Sequence, residues 1–139
     1  VSFLRGLFMK KSILVVDDAK TIRLLLRLSL EGVGYQVIEA ADGLEALEHL
    51  NRHSIDLIMS DLNLPHMDGL GFAREVKKRP NHEHTPFIMI TTETGLRRKE
   101  EARDMGVDAW MLKPFKSELM LAAVDRLLRS AQVAAQTAA

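Results

Sequence analysis

Cysteine is absent from the 139 residues, which excludes disulfides, thiolate zinc sites and cysteine nucleophiles. No apolar run approaches the roughly 20 residues that a membrane-spanning helix needs, so no membrane insertion is expected. An excess of either charge is missing as well: 19 Lys and Arg stand against 19 Asp and Glu. A chain without a net positive field has no general attraction for nucleic acid, and none is expected as a direct partner. Repeats and breaks in composition are also lacking. The length and the 47% hydrophobic content suit one compact domain with one core, with no room for a second.

The opening VSFLRGLFMKK is basic and apolar, but it lacks the continuous apolar stretch of about 7–15 residues and the small-residue cleavage pattern of a signal peptide. Met9, followed by Lys10 and Lys11, reads as a natural start. Residues 1–10 are therefore taken as an N-terminal extension, of which 1–8 are an appended or misassigned start. Intact mass of the native protein checks this.

From there the chain alternates between two periods. SILVVD (12–17), YQVIEA (35–40), IDLIMSD (55–61), PFIMIT (86–91) and DAWMLK (108–113) are short apolar runs of the kind that form parallel strands buried on both faces. Between and after them lie amphipathic stretches at about Lys20–Glu31, Gly43–Arg52, Gly69–Lys78, Leu96–Met105 and Ser117–Gln132. Asp42 and Glu45 are spaced as a capping box, and Met67 and Phe72 flank an Asp68 N-cap at the spacing of a hydrophobic staple. Gly34 and Gly106 stand where helices end on a left-handed residue. Five strands alternating with five helices predict an α/β protein with a doubly wound five-stranded parallel sheet, (βα)5. Residues 131–139 form an Ala-rich C-terminal tail able to prolong the last helix.

The polar exceptions then fall on one edge. Asp17 and Asp18 follow the first strand, Asp61 ends the third, Thr91 the fourth and Lys113 the fifth. Taken singly, an Asp after a strand caps a helix, a Thr builds a strand and a Lys snorkels. Together they lie at the carboxyl ends of the strands, where open α/β sheets bind ligands. Three carboxylates within about 4–6 Å repel one another by up to roughly 4 kcal/mol per pair at an effective dielectric near 20, so the set asks for a cation. Oxygen ligands without Cys or His favour a hard ion such as Mg²⁺, which prefers carboxylates, water and a phosphate oxygen. Lys113 offers a positive charge to a phosphoryl oxygen and Thr91 a hydroxyl. Asp61, central among these groups, is the candidate nucleophile, and attack on phosphorus gives an aspartyl phosphate.

ILVVDD, MSDLNLPHMDG, IMITT and WMLKPF together resemble, in order and spacing, the receiver domain of two-component response regulators, and within it the stand-alone chemotaxis regulators of the CheY type. The resemblance covers about residues 11–130. It implies a flavodoxin-like strand order 2-1-3-4-5 and phosphorylation of Asp61 by a sensor histidine kinase in a Mg²⁺-dependent, cytoplasmic reaction that switches affinity for a protein partner. It further implies that Asp17, Asp18, Asp61 and the backbone carbonyl of Asn63 hold the metal, that Thr91 is the switch hydroxyl, that Lys113 contacts the phosphoryl group and that Lys113–Pro114 is a cis peptide. Trp110 occupies the place of the switch aromatic, where Tyr or Phe is commoner, and Thr92 replaces a residue that is often smaller. Asn63 and Glu93 border the path of the attacking water and tune the lifetime of the phosphoryl group. The partner surface implied is the face of the fourth helix, fifth strand and fifth helix.

Two histidine pairs, His49 with His53 and His82 with His84, lack a third ligand at motif spacing and are not taken as zinc sites; RPNHEHTP reads as a polar loop. The first helix carries Ile22, Leu24, Leu25, Leu26, Leu28 and Leu30, an apolar arc wider than one buried stripe, suited to covering residues 1–8 or to self-association. Other uses of the same chemistry stay open: a receiver that is part of a longer regulator, a phosphate sink, and, from another class, an aspartyl-phosphate phosphohydrolase. The last normally carries a D-x-D pair after the first strand, where this chain has adjacent Asp17 and Asp18.

Overall fold

The computed structural model describes residues 10–138; the expectations for residues 1–8 lie outside them. Five strands, β1 (Ser12–Val16), β2 (Gln36–Ala40), β3 (Leu57–Ser60), β4 (Phe87–Thr91) and β5 (Ala109–Leu112), form one parallel sheet in the order β2-β1-β3-β4-β5. The connecting helices are α1 (Lys20–Gly32), α2 (Gly43–Arg52), α3 (Gly69–Lys77), α4 (Leu96–Asp104) and α5 (Ser117–Ala138). This is the flavodoxin-like (βα)5 arrangement.

Alternation along the strands divides the core in two. Leu14, Val16, Ile58, Phe87 and Met89 pack with Ala46, Leu50, Phe72, Ala73, Val76 and Ala102 from α2, α3 and α4. Ile13, Val15, Leu57, Met59, Ile88 and Ile90 pack with Leu26 and Leu30 of α1 and Met120 and Val124 of α5. The central strands β1, β3 and β4 are buried along their whole length, whereas the edge strand β5 is only partly covered. Two aspartates that interrupt apolar stretches have a local job: Asp56 accepts the first N–H of β1, at Ser12 (2.7 Å), and Asp108 that of β4, at Phe87 (2.9 Å).

Helix punctuation follows the pattern of the sequence with one variation. Asp42 accepts from the Glu45 N–H at 2.8 Å, but the Glu45 carboxylate returns to Ala41 N–H and not to the cap residue itself. Asp68 accepts from Gly71 N–H at 2.7 Å. Gly34 and Gly106 adopt φ of 99° and 98° after α1 and α4, the left-handed conformation that a Cβ disfavours.

Two expectations gain detail, those for the Ala-rich tail and for the apolar arc of α1, and one, the polar loop, needs correction. The Ala-rich tail is helical as far as Ala138, because α5 meets no breaker and alanine is the best helix former. RPNHEHTP is not wholly a polar loop: Pro80–His82 form a 3₁₀ turn, and His82 is buried with its Nδ1 2.9 Å from Thr85 Oγ1. The apolar arc of α1 divides, Leu26 and Leu30 entering the core while Leu24, Leu25 and Leu28 stand exposed.

Candidate functional site

The strand order puts the reversal of winding between β1 and β3, so a crevice opens at their carboxyl ends. Asp17 and Asp18 follow β1 there and Asp61 follows β3, tied in register by Asp61 N–H to the Val16 carbonyl at 2.9 Å. Lys113 follows β5, and its N–H bonds the Thr91 carbonyl at 2.9 Å.

Each carboxylate reaches the crevice differently. Asp17 is buried; its Oδ1 accepts from Ala19 N–H (2.8 Å) and its Oδ2 from Lys113 Nζ (2.6 Å). Asp61 is buried and accepts from Lys113 Nζ at 2.8 Å and from Asn63 N–H at 3.2 Å. Asp18 is exposed and has no hydrogen bond or ion pair among the described residues. Ligand oxygens of the three lie within 4.8 Å of one another.

One glycine makes the backbone around Asp61 possible. Gly69, the first residue of α3, packs so closely that a Cβ would lie 2.3 Å from the Asp61 carbonyl oxygen and 2.8 Å from Leu62 Cα. Its own N–H bonds the Leu62 carbonyl at 2.7 Å. The start of α3 therefore braces the loop that leaves Asp61. The loop also carries His66 in the left-handed region, at φ 67°, with Nδ1 3.1 Å from the Asp42 carboxylate.

Lys113 is the counter-charge. Burial is the largest influence on its ammonium and pulls its pKa down, but hydrogen bonds to Asp17 and Asp61 outweigh that and hold it above the ordinary lysine value. Burial likewise dominates at Asp17 and pushes its carboxyl above the ordinary aspartate value, against the Lys113 and Ala19 hydrogen bonds; the Asp61 charge adds to the rise. Three carboxylates and one ammonium sum to two formal negative charges in a small space. A hard divalent cation fits that deficit and the all-oxygen donor set.

Thr91 is fully buried at the end of β4, and its Oγ1 accepts from Glu93 N–H at 3.1 Å. Glu93 in turn accepts from Gly95 N–H at 3.0 Å, so its carboxylate is engaged at the start of α4. Thr92 and Asn63 are exposed. Trp110 is half-buried on β5 beside Met89 and packs on the core cluster under α4. The Lys113–Pro114 peptide is cis. The His49 and His53 rings are tilted by 44° with centroids 5.5 Å apart and no third metal ligand joins them among the described residues, and His84 is exposed on the opposite edge from the acidic set.

One contact at the site had only a weak sequence signal. Arg23 of α1 donates from Nη1 to the Asp17 carbonyl at 2.7 Å and from Nε to Glu39 of β2 at 3.0 Å. The single hint available was that Arg23 lies one helical turn past the acidic pair.

Residues 13–125 match the family described as response regulator receiver domain. A probable chemotaxis protein CheY of Rhizobium etli is 35% identical over 117 residues, covering 84% of this chain and 91% of the relative. The alkaline phosphatase synthesis transcriptional regulatory protein PhoP of Bacillus subtilis is 37% identical over 127 residues, covering 91% of this chain but 52% of the relative. The chain spans about half the length of several curated regulators that it matches. Among solved structures, the chemotaxis response regulator CheY4 of Vibrio cholerae superposes with a TM-score of 0.81 at 37% identity, covering 86% of this chain and 99% of that one.

Proposed function

Because this chain belongs to the receiver-domain family of two-component response regulators, we propose that it is a phosphorylation switch in which Asp61 accepts a phosphoryl group from a histidine kinase and the change alters affinity for a downstream protein. The observation that carries this reading is the convergence of Asp17, Asp18 and Asp61 within 4.8 Å, with Lys113 Nζ bonded to two of them. The signalling role is that of a switch and not of an enzyme with turnover on a separate substrate.

In the proposed step, a carboxylate oxygen of Asp61 attacks phosphorus in line as the P–N bond of a phosphohistidine, or the P–O bond of an acyl phosphate, breaks. The electron pair of that bond leaves with the imidazole or carboxylate of the donor. Asp17, Asp18, Asp61 and the Asn63 carbonyl would hold Mg²⁺, which would supply positive charge toward the phosphoryl oxygens. Lys113 already stands beside Asp61 and offers its ammonium to the new group. Phosphorylation raises the negative charge at Asp61 by about one unit, and the Thr91 hydroxyl, whose oxygen accepts from Glu93 N–H, keeps its own proton to donate toward it. Reversal is attack of water on phosphorus, which restores the Asp61 carboxylate and releases inorganic phosphate; Asn63 and Glu93 flank that approach.

The output surface in this reading is the α4, β5 and α5 face. A cavity of about 330 Å³ opens there beside Trp110, lined also by Leu96, Ala102 and Val107, and Leu112 and Leu119 are exposed nearby. Displacement of Thr91 toward the phosphoryl group changes the packing available to Trp110. Function inside the cytoplasm follows from the kinase partnership; among the described residues no helix is long and apolar enough to cross a membrane. The match to half of each longer transcriptional regulator supports a second use of the same switch, as the receiver of a longer protein.

Incubation with acetyl phosphate and Mg²⁺, followed by intact mass, tests the proposal. One added phosphoryl mass, lost without Mg²⁺ and in Asp61→Asn, is expected. Equal labelling of Asp61→Asn overturns it.

A further inference from the structure

Every polar backbone and carboxylate atom of Asp17 has a partner: its N–H bonds the Ala40 carbonyl (3.1 Å), its Oδ1 accepts from Ala19, its Oδ2 from Lys113, and its carbonyl from Arg23. That carbonyl belongs to the rigid peptide plane joining Asp17 to Asp18. Asp18 has no hydrogen bond or ion pair of its own among the described residues, so the direction of its carboxylate depends on how that plane is turned.

Arg23 is built to set it. The side chain is 16% exposed, and its planar fork spans two acceptors, the Asp17 carbonyl at 2.7 Å and Glu39 Oε1 at 3.0 Å. Glu39 also receives Arg27 Nε at 2.6 Å, and Arg27 bonds Glu31 at 2.6 Å, so two arginines and two glutamates balance on the α1–β2 seam. Burial opposes ionisation of Glu39, but the Arg27 and Arg23 hydrogen bonds outweigh it and hold the carboxyl below its ordinary value. The fork is thus anchored on a fixed anion behind the loop.

We infer that Arg23 is a positioning residue for the metal loop: anchored on Glu39, it grips the Asp17 carbonyl and fixes the peptide plane from which Asp17 and Asp18 present their carboxylates. The inference rests on the reading of the acidic cluster as a Mg²⁺ site. It makes a prediction opposite in sign to simple electrostatics. Arg23 is a cation close to a cation site, so Coulomb repulsion alone predicts that removing it tightens Mg²⁺ binding. Positioning predicts weakening, because loss of a residue that orients metal ligands typically costs roughly 10- to 100-fold in affinity.

Calorimetric titration with Mg²⁺, beside thermal melts, separates these. Arg23→Gln is expected to weaken Mg²⁺ binding by roughly 10- to 100-fold. Arg23→Lys, which keeps the charge but cannot span both acceptors, falls on the same side and serves should the glutamine variant not fold. Glu39→Gln, whose amide oxygen can still accept from Arg23 Nε and so keeps both acceptors of the fork, loses the charge of the seam and with it thermal stability, while its Mg²⁺ affinity stays close to wild type. Unchanged or tighter Mg²⁺ binding in both Arg23 variants overturns the inference alone. So does a loss in Glu39→Gln as large as that in Arg23→Gln, which would mark the pair as purely structural. Wild-type protein that takes up no Mg²⁺ overturns the reading of the site, and the inference with it.

Discussion

Replacing Asp18 by Asn is expected to stabilise the metal-free protein while abolishing its response to Mg²⁺. The Asp18 carboxylate lies within 4.8 Å of those of Asp17 and Asp61 and has no donor of its own among the described residues. At that separation each like-charge pair costs about 3.5 kcal/mol at an effective dielectric near 20. Asp18 is exposed, so solvent reduces this strongly, and exposed charge pairs usually amount to about 0–1 kcal/mol. Lys113 offsets part of the remainder. A net gain of about 1 kcal/mol follows for Asp18→Asn, or about 3–4 °C in Tm for a chain of this size. Mg²⁺ at 100 times the dissociation constant should stabilise wild-type protein by about 2.7 kcal/mol, so that it overtakes the variant by about 1.7 kcal/mol. Thermal and urea unfolding in EDTA and in excess Mg²⁺ make the comparison. An Asp18→Asn variant that is less stable than wild type in EDTA refutes the electrostatic reasoning.

Gly69→Ala should destabilise by about 3 kcal/mol, since its Cβ would meet backbone atoms of Asp61 and Leu62 that cannot step aside; an unchanged urea midpoint contradicts this. His82 is buried, and that burial, followed by the charges of Arg79 and Lys77, lowers its pKa from 6.5. The unfolded chain therefore takes up the proton first as pH falls: the contribution is complete above about 6.5 and is lost between there and the lowered folded value. Tm should fall across that window in wild type and less in His82→Gln; parallel profiles refute it. Thr91→Ala should still acquire a phosphoryl group, yet the fluorescence of Trp110, the single tryptophan, should no longer change on phosphorylation. A full change in that variant separates Trp110 from the switch.

The layout of the sheet was legible in the sequence because parallel strands buried on both faces read as apolar runs, and β1, β3 and β4 are of that kind. Asp17, Asp18, Asp61, Thr91 and Lys113 stood out for the complementary reason: each is a polar residue placed where such a run stops. Side-chain partnerships across elements were not legible. The pairing of Arg23 with Glu39 and the Asp17 carbonyl spans two elements and has no period, and the burial of His82 depends on a 3₁₀ turn inside a segment whose composition is polar. The breadth of the apolar arc on α1 was visible, but which leucines enter the core was decided by how α1 lies on β1 and α5.

The central claim is that Asp61 carries the phosphoryl group, and the most direct measurement is to find that group's position in the chain. Protein treated with acetyl phosphate and Mg²⁺ is reduced with borohydride, which converts an acyl phosphate at an aspartate to homoserine, and the digest is sequenced by mass spectrometry. Homoserine at position 61, and nowhere else, is predicted. Conversion at Asp17 or Asp18 with Asp61 intact, or no conversion in folded protein that binds Mg²⁺, contradicts the account.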